Sequence, residues 1–122
     1  MRIEKLPTEW NVFSEEADNK MSLVNTVRFL ERVSEQVAEA SIEGLILHLD
    51  LSALDKANSE LIAQFVMLQS NLVRTNGRLR IINANAELKS SFDVVMLDKI
   101  ISITYIGIDP DDESDSDYGD EE

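Results

Sequence analysis

Apolar residues recur at helical spacing, every three or four positions, in three segments of the chain. The first runs from about Ser22 to Ala40, with charged residues between the apolar ones. The second runs from Asn58 to about Thr75 and places on one face Leu61, Ile62, Phe65, Val66, Leu68, Leu72 and Val73. The third, "NANAELKSSFDVVML", is expected to bury Leu88, Phe92, Val95 and Met96. The pattern predicts three amphipathic helices.

Shorter apolar or alternating runs predict five strands. Arg2 to Leu6 and Glu9 to Phe13 flank the turn former Pro7, and "RLRII" and "IISITYIGI" follow the second and third helices. "LILHLDL", just after Gly44, is apolar enough for a strand buried on both faces. The order ββαβαβαβ predicts an α/β fold with a mixed, mostly parallel sheet, since strands that alternate with helices are joined by crossovers.

Charge is distributed unevenly along the 122 residues, whose net charge is −13. The segment 109–122, "DPDDESDSDYGDEE", holds nine acidic residues and no basic one, whereas residues 1–108 hold 15 acidic and 11 basic residues. We expect one domain over residues 1–108 and a disordered acidic tail over 109–122, because such a tail buries too little apolar surface to fold. The acidic balance and the lack of a basic stripe argue against nucleic-acid binding.

Residue types that carry catalytic chemistry are scarce. The chain has no cysteine, one histidine in mid-strand (His48) and no glycine-rich phosphate loop. Asp50 and Asp55 could lie near each other at the end of the third predicted strand, where they could hold Mg²⁺ or cap a turn; turn capping is the commoner role of such residues. We therefore expect no enzyme activity, no metal and no cofactor. Without an apolar span or a signal-peptide core, we also expect no membrane insertion and a cytoplasmic protein.

The stretch "LDLSALDKANSELIAQFVMLQSNLVRTNGRLRII", followed by "FDVVMLDKIISI", resembles the STAS domain of bacterial anti-sigma factor antagonists. That family has a buried strand ending in a D-L-S-like turn, a D-S-S-G-L-like helix start, a G-G turn after the helix and an L-D-x-x-I ending. The resemblance covers about Ile42 to Ile106, and the G-G turn falls on Asn76-Gly77. It implies the STAS fold.

The resemblance also implies a regulatory serine. The family's phosphorylated serine falls on Ser59, with Asn58 in place of the preceding Asp, and with Glu60 and Leu61 replacing the following Ser and Gly. Capping of the second helix is the alternative role for Asn58 and Ser59, since both residue types are preferred helix N-caps. The implied partner surface consists of Asp50, Asp55, Asn58, Ser59, Glu60 and Ile62.

Two functions are compatible with this resemblance. The first is a signal-transduction protein that binds an anti-sigma factor or related serine kinase, is released by phosphorylation of Ser59, and is restored by a phosphatase. The second is a constitutive STAS subunit of a signalling or lipid-transport complex, in which Ser59 only caps a helix. A role in binding a small ligand or nucleotide ranks third. The sequence leaves the oligomeric state open.

Overall fold

The computed structural model describes residues 1–16, 18 and 23–107. Its strands are β1 (Arg2–Lys5), β2 (Glu9–Phe13), β3 (Ile46–Asp50), β4 (Arg78–Ala84) and β5 (Ser102–Tyr105). Its helices are α1 (Val24–Ala40), α2 (Ser59–Val73) and α3 (Ala86–Val94), with a short 3-10 helix at Leu97–Lys99. The predicted order ββαβαβαβ is confirmed.

The five strands form one sheet in the order β1-β2-β3-β4-β5. β1 pairs with β2 in antiparallel fashion, and the other three pairings are parallel. The predicted mixed, mostly parallel sheet is therefore present. Because neighbouring strands follow chain order and such crossovers are right-handed, α1, α2 and α3 all lie on one face of the sheet.

Burial along the strands alternates, as expected for a sheet covered on one face. In β3, Leu47 and Leu49 are fully buried beneath the helices, whereas Ile46, His48 and Asp50 on the opposite face are only half-buried. The expectation that this strand is buried on both faces is wrong. The reason is topological: every crossover passes over the same side of the sheet, so none of the helices in the described residues covers the other side.

The core lies between this sheet face and the helices, where α1 also packs on α2. Leu61, Phe65, Leu68 and Leu72 are the buried residues of α2. Phe65 meets Phe92 of α3 edge to face, with ring centroids 5.9 Å apart, an arrangement that aromatic rings favour. Most of the apolar stripe predicted for α2 is thus buried in the core, whereas Val73, at the end of that stripe, is 54% exposed.

α3 is shorter than the sequence pattern indicates. Leu88 and Phe92 are buried as predicted, but Val95 is 48% exposed and Met96 is 62% exposed, so their predicted burial is wrong. Met96 has a φ of 56°, in the left-handed region, and this turn of the backbone separates α3 from the 3-10 helix. Helical periodicity therefore ceases before these two residues.

The predicted boundary near Asp109 and the acidic segment 109–122 lie outside the described residues. Within the part of the chain that the structure describes, no helix is both long enough and apolar enough to cross a membrane.

The turn after α2 uses Asn76 and Gly77 for different purposes. Asn76 takes the left-handed conformation, with a φ of 62°, and the Gly77 N–H donates to the Leu72 carbonyl at 2.8 Å. Gly77 passes so close to the chain before β3 that a Cβ placed on it would lie 2.2 Å from the Leu45 carbonyl oxygen. Glycine is thus required at position 77 by close backbone approach, whereas Asn76 makes the left-handed turn.

We predict that Gly77→Ala lowers the free energy of unfolding by about 3 kcal/mol, because the added methyl collides with backbone that cannot move aside alone. Gly44→Ala is the matched control. Gly44 has a φ of 72° and open space around it, so alanine there should cost only about 1 kcal/mol of backbone strain. Urea unfolding of the two variants measures both values, and equal destabilisation would contradict the close-approach explanation.

Candidate functional site

The loop between β3 and α2 lies at the carboxyl edge of the sheet and is anchored by two leucines. Leu51 and Leu54 are fully buried. The Leu51 N–H donates to the Ile82 carbonyl at 3.0 Å, and the Leu54 N–H closes a turn on the Leu51 carbonyl at 3.0 Å. Burial of two leucine side chains contributes roughly 3 kcal/mol or more. The loop therefore holds the first turn of α2 at a defined position on the sheet edge.

Asp50, at the end of β3, closes the turn that begins this loop. Its carboxylate accepts a hydrogen bond from the Ser52 N–H at 2.8 Å and another from Asn83 Nδ2 at 3.1 Å. Among the described residues, no group of three His, Cys, Asp or Glu side chains is arranged to hold a metal ion. Of the two roles considered for Asp50, turn closure is the one that the contacts support.

Two further side chains tie the loop to neighbouring strands. Ser14, which is only 9% exposed, accepts a hydrogen bond on Oγ from the Ala53 N–H at 3.0 Å. Asn85 Nδ2 donates to the Leu54 carbonyl at 3.1 Å. Neither residue was predicted from the sequence to support this loop. Asn85 could have been found as the cap of α3, but its bond to a residue 31 positions away follows only from the folded arrangement.

Asn58 is the N-cap of α2. Its backbone is extended, with φ −127° and ψ 177°, and its Oδ1 accepts a hydrogen bond from the Leu61 N–H at 2.8 Å. The Asn58 carbonyl accepts the first helical hydrogen bond, from the Ile62 N–H at 3.1 Å. This geometry satisfies one of the donors that a helix start leaves open.

Ser59 is the first residue of α2 and is exposed. In the described part of the chain its hydroxyl makes no hydrogen bond, because Asn58 already performs the capping role. Of the two candidate caps, Asn58 is therefore the residue that caps the helix. Ser59 leaves its Oγ in solvent at the positive end of a 15-residue helix.

The implied partner surface is brought together around this helix start. Asp55, Asn58, Ser59 and Glu60 are exposed, whereas Ile62 is half-buried. Asp50 is also half-buried, and its carboxylate is directed to the turn rather than to Ser59. Lys56, which the sequence analysis did not single out, is an exposed cation within the same loop. The exposed part of the surface therefore carries two acidic side chains, Asp55 and Glu60, and one basic side chain near the Ser59 hydroxyl.

His48 lies on the sheet face that the helices leave uncovered, not in the core. Its Nε2 is 3.8 Å from a carboxylate oxygen of Glu9 on the neighbouring strand, and its side chain is 18% exposed. No serine lies in its described polar contacts, so no nucleophile–base pair forms there.

The five-stranded, mostly parallel sheet with its three helices on one face is a STAS-like fold. The crystal structure of TM1081 from Thermotoga maritima, a proposed anti-sigma factor antagonist, is similar with a TM-score of 0.69 and 13% identity, over 94% of this chain and 92% of that one.

The NMR structure of TM1081 is similar as well, with a TM-score of 0.67 and 15% identity, over 84% of this chain and 78% of that one. No protein-family model and no curated protein sequence matches this chain. At such low identity the likeness establishes the fold, and the fold expected from the family resemblance is confirmed.

We predict that Asn58→Ala lowers the free energy of unfolding by about 1 kcal/mol, because the Leu61 N–H loses its acceptor. Ser59→Ala, the matched variant one residue later, should change it by less than about 0.5 kcal/mol, because no hydrogen bond is lost. Chemical unfolding of both variants gives the comparison. Equal losses would mean that Ser59 shares the capping role.

Proposed function

We propose that this protein is a non-enzymatic interaction module that acts as an anti-sigma factor antagonist does. It binds an anti-sigma factor or related serine kinase through the loop before α2 and the first turn of that helix, and phosphorylation of Ser59 ends the interaction. The observation that carries the proposal is that Asn58, and not Ser59, provides the helix cap. The exposed hydroxyl of Ser59 is therefore available to a kinase.

Phosphorylation at this position would change the surface more than the stability. The partial positive charge at the N-terminus of α2 stabilises a nearby phosphate by about 0.3 to 1 kcal/mol. Glu60 is adjacent and carries the same sign as the phosphate, whose charge is about −1.5 to −2, so the two effects oppose each other. A partner packed over Ser59 must instead desolvate the new charge, which costs several kcal/mol unless the partner supplies a cation.

The chemistry of the switch belongs to the partners. A kinase transfers the γ-phosphoryl group of ATP to Ser59 Oγ and releases ADP, and a phosphatase hydrolyses the phosphoserine. This chain then needs no cofactor of its own, and it would act in the cytoplasm, where ATP and the transcription machinery are found.

We predict that serine kinases of the anti-sigma type from the same genome, supplied with ATP, phosphorylate the protein on Ser59. Mass spectrometry should locate one phosphate there, and Ser59→Ala should abolish it. Ser59→Asp should weaken binding to that kinase by at least tenfold, which corresponds to 1.4 kcal/mol.

Ser70→Asp is the matched control, because Ser70 is an exposed serine on the same helix, three turns from the cap. It adds the same charge and should leave binding unchanged. Phosphate located at another residue, or equal binding of wild type and Ser59→Asp, would refute the switch.

Constitutive assembly is the second candidate function, and the exposed Glu60 favours it. Glu60 lies in the first turn of α2, so a permanent negative charge already occupies the helix start. In this case Ser59→Ala and Ser59→Asp recover the same partner in equal amounts in a pull-down, whereas reversal of the charge by Glu60→Lys reduces recovery.

A further inference from the structure

A groove separates α1 from α2 on the solvent side of their interface. Its volume is about 380 Å³, within the range of small-ligand sites. The lining residues form one stripe on each helix: Glu31, Ser34, Glu35 and Ala38 on α1, and Gln64, Met67 and Asn71 on α2. Each stripe has the spacing of a single helix face. The groove is therefore formed by two packed helices and does not depend on the conformation of a loop.

Two residues of this lining each hold a buried polar atom that has no hydrogen-bond partner among the described residues: Ser34 Oγ and Gln64 Oε1. Ser34 is only 4% exposed, and it occupies the apolar stripe of α1 between Val33 and Val37. An unpaired polar atom at such a position destabilises a helix interface, because it has lost water without gaining a partner. Both residues belong to the lining of the same groove, and a ligand held between the two helices could supply the missing partner.

The remaining lining groups indicate the chemistry of that ligand. Glu31 and Glu35 are exposed acidic residues on the α1 side, and Gln64 Oε1 is a hydrogen-bond acceptor on the α2 side. No basic side chain belongs to the described lining. Acceptors and negative charge favour a donor cation. Ala38 and Met67 add apolar surface, which suits the methylene stem of such a group.

We infer that the groove between α1 and α2 binds an ammonium or guanidinium group carried on a short methylene stem. The cationic head donates hydrogen bonds to Gln64 Oε1 and Ser34 Oγ and faces the carboxylates of Glu31 and Glu35, while the stem lies against Ala38 and Met67. Free amines and the side chain of a lysine or arginine in a partner share this chemistry. The site lies on the helix layer and is independent of Ser59.

The test is a titration of the ¹⁵N-labelled full chain with putrescine and with agmatine at about 150 mM salt, followed by NMR. Saturable shifts should centre on residues 34, 38, 64 and 67. 1,4-Butanediol, which has the stem of putrescine without its charges, should give none. Shifts that are confined to residues 109–122, or that do not saturate, would show only general attraction to an acidic chain and would overturn the inference.

Variants separate a binding role from a structural one. Ser34→Ala should weaken amine binding about tenfold, as expected for loss of a hydrogen bond to a charged group, while it leaves the unfolding midpoint unchanged or raises it. Ala38→Leu should block the groove. Ala63→Leu is its matched control, because Ala63 is exposed on α2 and does not line the groove. Unchanged binding in both Ser34→Ala and Ala38→Leu would overturn the proposal.

A short peptide with a central lysine, compared with the same peptide acetylated on that lysine, distinguishes the two sources of the cation. Groove shifts with the amines alone assign the site to small molecules, and groove shifts with the unmodified peptide as well assign it to a partner side chain. Either result supports the inference. If no cationic probe shifts the groove residues, the inference is refuted.

Discussion

Burial of one face of the sheet against three helices is the constraint on which the rest of this structure depends. Parallel strands in chain order require crossovers of one hand, so α1, α2 and α3 must share a face. Leu47 and Leu49 of β3 are fully buried on that side, and the carboxyl ends of β2, β3 and β4 meet at one edge. The position of the loop before α2, and hence of Ser59, follows from this arrangement.

At that edge, the structural contacts and the proposed phosphorylation site fall on adjacent residues. Leu51 and Leu54 anchor the loop in the core, and Asn58 satisfies the helix start. None of these contacts uses the Ser59 hydroxyl. A group that can be modified without loss of a structural hydrogen bond allows a surface to change charge while the fold is retained, which is the physical requirement for a phosphorylation switch.

The interface between α1 and α2 shows the opposite arrangement. There Ser34 and Gln64 each bury a polar atom without a partner among the described residues, and both residues line an acidic groove. Polar groups at such positions weaken packing unless a partner satisfies them. The protein would thus have two separate binding surfaces. Binding at the sheet edge would depend on whether Ser59 is phosphorylated, and the groove between the helices would recognise a cation.

The sequence by itself determined the order of elements, the apolar stripes of the helices and the position of Ser59 at a helix start, because these depend on periodicity and local capping preferences. Only the tertiary structure decided which of Asn58 and Ser59 is the cap, because both residue types can fill that role. It also decided that Val95 and Met96 are exposed, since a left-handed turn at Met96 breaks the period. Three further features depend on residues far apart in the chain, and no local pattern encodes such contacts. They are the one-sided burial of β3, the hydrogen bond from Asn85 to Leu54 and the groove at Ser34.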